Sequence, residues 1–231
     1  MSQLNNRALT ILHGEGIAGL INRIASRLLR KPQLINLYVL KLDYKDIAKL
    51  PPPSIDLEIG EITEMDDSGL EALAAFHFYG HSKGEILQYL AGGQRCYIAK
   101  HKDQVISCYW RITGDYYDYS LKRRFYLAET EEYLLGFFTL AEFRGKGIFP
   151  YVLEVSSYER AQNCPDLRAI IFVRTNNQAS LRSVHKLGFN VIGRVGFVEI
   201  FGIRFHFLLG RDAFPKTTRR NFFRFFSAES T

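Results

Sequence analysis

Apolar positions along the chain follow two periods, one helical and one alternating, and the changes between them mark out the elements. Near the start, Ile17, Leu20, Ile21, Ile24 and Leu28 fall on one helical face, while Arg23, Arg27, Arg30 and Lys31 occupy the rest. That pattern predicts a basic amphipathic helix, suited to docking on its own domain or on a membrane or partner surface. INLYVLKLD then reads as a strand, and PPPS at 51–54 is the clearest break in the chain. SIDLEIGE predicts a strand, followed by a helix opened by the acidic turn at 66–68. KGEILQYLAGG continues helical and stops at its glycines. RCYIAKHKDQVISCYWRIT divides about Lys102 and Asp103 into a hairpin. GDYYDYSLKRRFYLAETE, polar and rich in tyrosine, reads as a long loop or insertion. EEYLLGFFTLA is a buried strand, FPYVLEVSSYERAQN a helix, and LRAIIFVRT another buried strand. NQASLRSVHKLGF is a helix ending at Gly188, with NVIGRV and GIRFHFLL as late strands.

The order strand, glycine loop, helix, strand predicts a parallel βαβ unit inside an otherwise antiparallel sheet, hence a mixed α/β fold. The breaks divide the chain into an N-terminal helix and strand extension (residues 1–53), a central domain (54–212) and a basic aromatic tail (213–231). The tail, TTRRNFFRFFSAEST, suits an edge element packed on the core or a lipid contact.

Composition changes this picture little, but charge narrows the partners. With 47% apolar residues the chain is globular, and a formal charge of +6 with a pI near 9.2 suits a phosphorylated cofactor, an acidic acceptor, an anionic membrane or nucleic acid. Nucleic acid is not expected, because no basic stretch carries an interleaved stacking platform or a reading helix. Cys96, Cys108 and Cys164 are scattered and lack CxxC spacing, which points to reduced thiols in a cytoplasmic protein. The N-terminus has no charged lead into an apolar run, and no stretch approaches a membrane span, so a soluble, unsecreted protein is expected. His77 and His81 in HFYGH have a metal-ligand spacing, but no Glu follows the first and Gly80 interrupts the helix; no metal is expected.

The chemistry concentrates in RGKGIFPYVLEV at 144–155. Glycines at 145 and 147 let the backbone approach a ligand that side chains would block, and the helix that follows points unpaired N–H groups at an anion. A Walker loop is excluded, since no Gly-Lys-Ser/Thr follows four spacers, and the dinucleotide GxGxxG is also absent. TLAEFRGKGIF at 139–149 resembles the pyrophosphate loop of the GCN5-related N-acetyltransferase superfamily. NNQASLRSVHKLGF at 176–189 resembles its second motif, and one helix and one strand separate the two, as that family requires.

The resemblance covers about residues 54–210 and implies the acyl-CoA N-acyltransferase fold, a mostly antiparallel sheet with a central splayed parallel pair flanked by helices. It implies that backbone N–H groups of Arg144, Gly145, Lys146, Gly147, Ile148 and Phe149 cradle the pyrophosphate of acetyl-CoA. Phe137, Phe138 and Thr139 would pair with the pantetheine arm, Asn177 would contact its side and Ser180 would sit near the coenzyme. Asn177 is equally placed to cap a helix. Family members often carry a carboxylate where the strand before the loop begins. Glu131 and Glu132 stand there, on opposite faces unless a bulge intervenes, and Glu132 is the preferred base.

Three departures accompany the resemblance. Phe149 replaces a small residue, Pro150 follows it in the first helical turn, and Val184 stands where many members have the tyrosine that protonates the leaving thiolate. Other proton carriers are His185, Tyr151, Tyr116, Tyr117, Tyr119 and Tyr126, the insertion tyrosines being candidates to line an acceptor pocket. The expected function is transfer of an acyl group from acetyl-CoA to a primary amine of a small, anionic molecule such as an amino sugar, by direct attack in a ternary complex. The alternative is a coenzyme-binding or membrane-associated partner protein without transferase activity, contacting the membrane through its ends. Oligomeric state is left open.

Overall fold

The computed structural model describes residues 31–62, 66–75, 82–201 and 203–210, together with two short strands at Lys216–Thr217 and Phe222–Arg224. The amphipathic stretch at 17–28, and His77 and His81, lie outside the described residues. Long alternating or apolar runs become strands: β1 (Gln33–Asp43), β2 (Glu58–Glu61), β3 (Arg95–His101), β4 (Gln104–Ile112), β7 (Glu131–Thr139), β8 (Arg168–Arg174), β9 (Asn190–Ile200) and β10 (Ile203–Gly210). Between them lie β5 (Asp115–Asp118) and β6 (Arg123–Tyr126); β11 is Lys216–Thr217 and β12 is Phe222–Arg224. The described α-helices are α1 (Asp67–Ala75), α2 (Lys83–Ala91), α3 (Ile148–Asn163) and α4 (Gln178–Lys186).

One sheet runs β12-β10-β9-β1-β8-β7-β4-β3-β2. It is antiparallel apart from the central pair β7/β8, joined through α3, and the edge pair β10/β12. The tail thus supplies an edge strand. β1, although its sequence belongs to the N-terminal extension, sits inside the sheet between β8 and β9 and buries Leu37, Val39, Leu40 and Leu42. A strand apolar on both faces must be covered on both, so β1 is built into the core rather than appended to it.

Two helical layers cover the sheet. Along β3 the neighbours Cys96 and Tyr97 point to opposite faces. On one face α3 and α4 contribute Ile148, Val152, Leu153, Leu181 and Val184 against Leu40, Tyr109 and Ile171. On the other, Leu70, Leu73 and Ile86 of α1 and α2 meet Ile98, Cys108 and Trp110. Ser82 caps α2 in a reciprocal box with Glu85.

The segment that reads as a loop at 114–130 is instead the hairpin β5/β6, which forms a second, three-stranded sheet with β11. Its order comes from Leu121 and Phe125, which bury against Val39 and Ile170, and from the buried Asp118, which accepts the Leu121 N–H at 2.8 Å and the Tyr133 hydroxyl at 3.2 Å. Burial pushes the Asp118 carboxyl above its ordinary range.

Candidate functional site

The parallel pair does not stay together. β7 and β8 are in register only from Glu131 opposite Arg168 to Leu134 opposite Ile171. Beyond this, β8 keeps its pairing with β1 as far as Arg174 opposite Leu37, while β7 runs on to Thr139 out of register with β8. The opposite edge of β7 holds to β4, with a bulge: Cys108 faces Phe138 and Trp110 faces Leu135, so Gly136 and Phe137 together oppose Tyr109. Gly136 has φ 74°, a conformation that favours glycine. Ser107 fixes the end of the strand, donating from Oγ to the Phe138 carbonyl at 2.8 Å and lying 2.9 Å from Thr139 Oγ1. The result is a notch between β7 and β8 that opens beyond Leu134 and Ile171.

The glycine loop stands at the end of this notch. Gly145 and Gly147 have φ 77° and 75°, and a Cβ on either would meet nothing within 4 Å. The turn therefore needs glycine for its backbone, and the space over it is open. Gly147 caps α3, leaving the first-turn N–H groups of Ile148 and Phe149 without helical partners. Arg144 differs from this expectation, because its N–H is committed to the Ala141 carbonyl at 3.2 Å and its Nε to the Thr139 carbonyl at 2.9 Å. It braces the loop against β7. Lys146 is exposed, with Nζ 5.0 Å from the Phe143 ring centre. The Phe149 ring packs on Phe137 at 4.6 Å, so it adds to the apolar wall of β7.

Across the notch, Asn177 caps α4 and accepts the Ser180 N–H at 3.2 Å. Asn177 is exposed and Ser180 half-buried. Val184 is buried in the core, and His185 Nδ1 lies 2.9 Å from the Phe189 carbonyl. The Tyr116 ring lies tilted against Tyr133 with centres 4.7 Å apart, while Tyr117, Tyr119 and Tyr126 are exposed.

Glu132 requires a correction. The expected base has no exposed surface, and both its oxygens are taken. Oε1 pairs with Arg160 of α3 at 2.5 Å; Oε2 accepts the Tyr44 hydroxyl at 2.9 Å and lies 3.2 Å from Arg111 Nη1. A carboxylate fully buried and enclosed by two guanidiniums and a phenol is out of reach of any amine. Glu131, on the opposite face, pairs with Lys41 at 3.6 Å and accepts the Ala128 N–H at 3.1 Å.

Arg111 is the residue that pattern reading misses. Its guanidinium sits 4.7 Å from the Tyr97 ring centre, 5.5 Å from Tyr44 and 5.8 Å from Tyr109, and Nη2 donates to the Tyr109 hydroxyl at 2.7 Å. Burial opposes its charge, but Tyr109, Tyr44 and Glu132 more than offset this and hold it protonated. Burial pushes Tyr97 up to about 12 and raises Tyr44 and Tyr109 as well, so all three phenols stay neutral. The signal in the sequence was a lone arginine within VISCYWRI, a strand otherwise apolar enough to be covered on both faces. A separate hollow of about 240 Å³ opens near Glu61, Tyr97, Ser156 and Glu159, and none of the loop residues lines it.

No protein-family model matches the chain, and no curated protein matches it either. Solved structures do. An acetyltransferase of the GNAT family from Colwellia psychrerythraea superposes with TM-score 0.50 at 19% identity, over 74% of this chain and 57% of that one. The GCN5-related glucosamine N-acetyltransferase region of a fungal multi-domain β-N-acetylglucosaminidase superposes with TM-score 0.54 at 13% identity, over 78% of this chain and 22% of that one. A Drosophila protein superposes with TM-score 0.51 at 16% identity, over 80% and 58%. The chain therefore spans under two thirds of each of these proteins. It has the fold of the GCN5-related N-acetyltransferases, with the splayed parallel pair in the centre of the sheet.

Proposed function

We propose that the chain is an acetyl-CoA-dependent N-acetyltransferase acting on a primary amine of a small molecule. The observation that carries this reading is the coincidence of three features in one place: the stretch of β7 beyond its register with β8, the two left-handed glycines, and the N-terminus of α3, which no side chain caps. Gly145, Lys146, Gly147, Ile148 and Phe149 would meet the pyrophosphate with backbone N–H groups. Phe137, Phe138 and Thr139 would pair with the amides of the pantetheine arm as an added strand. Asn177 and Ser180 would contact it from α4. Acetyl-CoA supplies the thioester; this chain holds it, orients it and presents its carbonyl at the bulge.

In the proposed reaction, the neutral amine nitrogen forms a bond to the thioester carbonyl carbon, and the carbon–sulfur bond breaks as the amide forms. With Glu132 sealed, the proton lost by the amine passes to water in the open notch. With Val184 in place of a phenol, sulfur leaves as thiolate, a reasonable leaving group because alkyl thiols ionise near pH 8.5. Catalysis then rests on placement and on backbone polarisation of the carbonyl rather than on a dedicated acid and base. For the acceptor we favour an anionic small molecule such as an amino sugar. The net charge of +6 and the glucosamine-acetylating similarity of fold support that preference.

Thermal unfolding with and without acetyl-CoA tests the binding half, since a ligand of the native state raises Tm. A shift that Gly147→Glu abolishes is expected, followed by release of free thiol with glucosamine or its phosphate. A well-folded protein with no shift would refute the reading. A shift without turnover on any amine would favour the non-enzymatic coenzyme-binding alternative.

A further inference from the structure

The closed end of the notch is covered differently on its two faces. The last register pair, Leu134 opposite Ile171, faces α3 and α4, where both side chains and the next residue on that face, Val173, are buried. The residues that follow on the two strands, Leu135 and Phe172, face the other way and are only half-buried. An acceptor amine therefore reaches this end of the notch from the face opposite α3.

The β5/β6 hairpin builds that face. Phe125 meets the Phe172 ring edge-on with centres 5.1 Å apart, Tyr133 lies 4.9 Å from Phe172, and the half-buried Tyr116 lies against Tyr133. Leu135 packs against this cluster and also against the one under α1 and α2, so it marks the seam between the two covers. A cation stands beside the aromatic wall. Arg174 comes two residues after Phe172, about 7 Å along β8 on the same face, opposite Leu37 of the same cluster. It is exposed, and its guanidinium has no ion-pair or hydrogen-bond partner among the described residues. Aromatic side chains take the apolar side of a ring, and a guanidinium takes a carboxylate or phosphate in a two-pronged grip.

We propose that the acceptor is a primary amine built on a ring and bearing an anionic group, with the ring against Tyr116 and Phe172 and the anion on Arg174. This rests on the acetyl-CoA-dependent transfer proposed above and adds the residues that select the acceptor. The test is steady-state acetyl transfer by the full chain to glucosamine, to glucosamine 6-phosphate and to muramic acid, which carries a carboxylate on the same ring. The Tm rise given by acetyl-CoA is followed in the same variants. The wild type is expected to show a KM at least about tenfold lower for one of the anionic amines than for glucosamine, and the lower value names the anion. Arg174→Gln should erase that difference with a smaller change in kcat, and Arg174→Lys should restore part of it. Tyr116→Ala should raise KM for all three amines, and the acetyl-CoA rise in Tm should persist in every variant. Wild-type protein that responds to acetyl-CoA but favours neither anionic amine overturns the inference, as does a preference that survives Arg174→Gln. Loss of the acetyl-CoA rise in Arg174→Gln overturns it as well, since Arg174 would then serve the coenzyme. Absence of that rise in the wild type refutes the transferase reading itself and removes the inference with it.

Discussion

The two halves of β7 do opposite things within one strand. From Glu131 to Leu134 it is paired with β8, and at Tyr133 and Leu134 with β4 as well, and beneath it Glu132 joins Arg111 of β4, Arg160 of α3 and Tyr44 after β1. From Gly136 to Thr139 it bulges against β4, beyond the end of its register with β8. The first half is a clamp and the second an opening. The comparison teaches that a notch in the middle of a sheet needs a rigid origin. The ion network fixes where β7 and β8 meet, and the left-handed Gly136 lets the strand diverge from there.

The clamp can be broken most severely at Glu132. Glu132→Ala leaves two guanidiniums facing each other in the core and should cost about 3–5 kcal/mol in denaturant unfolding. Replacing Glu132 and Arg111 together by apolar residues of similar volume should cost much less than Glu132→Ala alone, a non-additivity that a double-mutant cycle reads directly. Equal losses would show that the network does not act as a unit.

The opening should respond differently. Gly147→Glu forces a side chain onto a left-handed turn, costing on the order of 1–2 kcal/mol in stability, and should abolish the Tm rise given by acetyl-CoA. Glu132→Gln, which keeps the shape of the clamp, should retain part of that rise. If both variants lose it alike, clamp and opening are not separable.

Alkaline pH sharpens the contrast further. Tyr97 stacks on the clamp and has its pKa raised from 10.0 to about 12 by burial. The folded state thus favours the neutral phenol: the stabilisation is fully present below pH 10 and is lost as pH rises towards 12. Tyr97→Phe should flatten the fall in Tm across that window without changing acetyl-CoA binding at neutral pH. The smallest effect is expected at Asn177→Ala, which removes the α4 cap and should cost about 1 kcal/mol. A larger loss of coenzyme affinity than of stability there would support contact between Asn177 and the ligand.

What the sequence reveals follows the range of the interactions. The βαβ unit is legible because buried strands and the helix between them write continuous apolar runs, and the loop is legible because Gly145 and Gly147 answer a local backbone demand. The β5/β6 hairpin reads as a loop because its ordering comes from Asp118, Leu121 and Phe125 meeting distant parts of the core. Glu132 is misread for the same reason. Its partners Tyr44 and Arg160 stand 88 and 28 residues away, and alternation gives a face but not what covers it. The bulge at Gly136 leaves only a glycine inside a strand, a weak mark until its register is seen.

The central claim is that acetyl-CoA pairs with β7 beyond the end of its register with β8. Amide hydrogen exchange with and without acetyl-CoA tests it most directly. The account predicts slowed exchange at residues 135–139 and at 145–149, with residues 131–134 unchanged because their pairing is already made. Coenzyme binding that leaves 135–139 exchanging at the unliganded rate would contradict it.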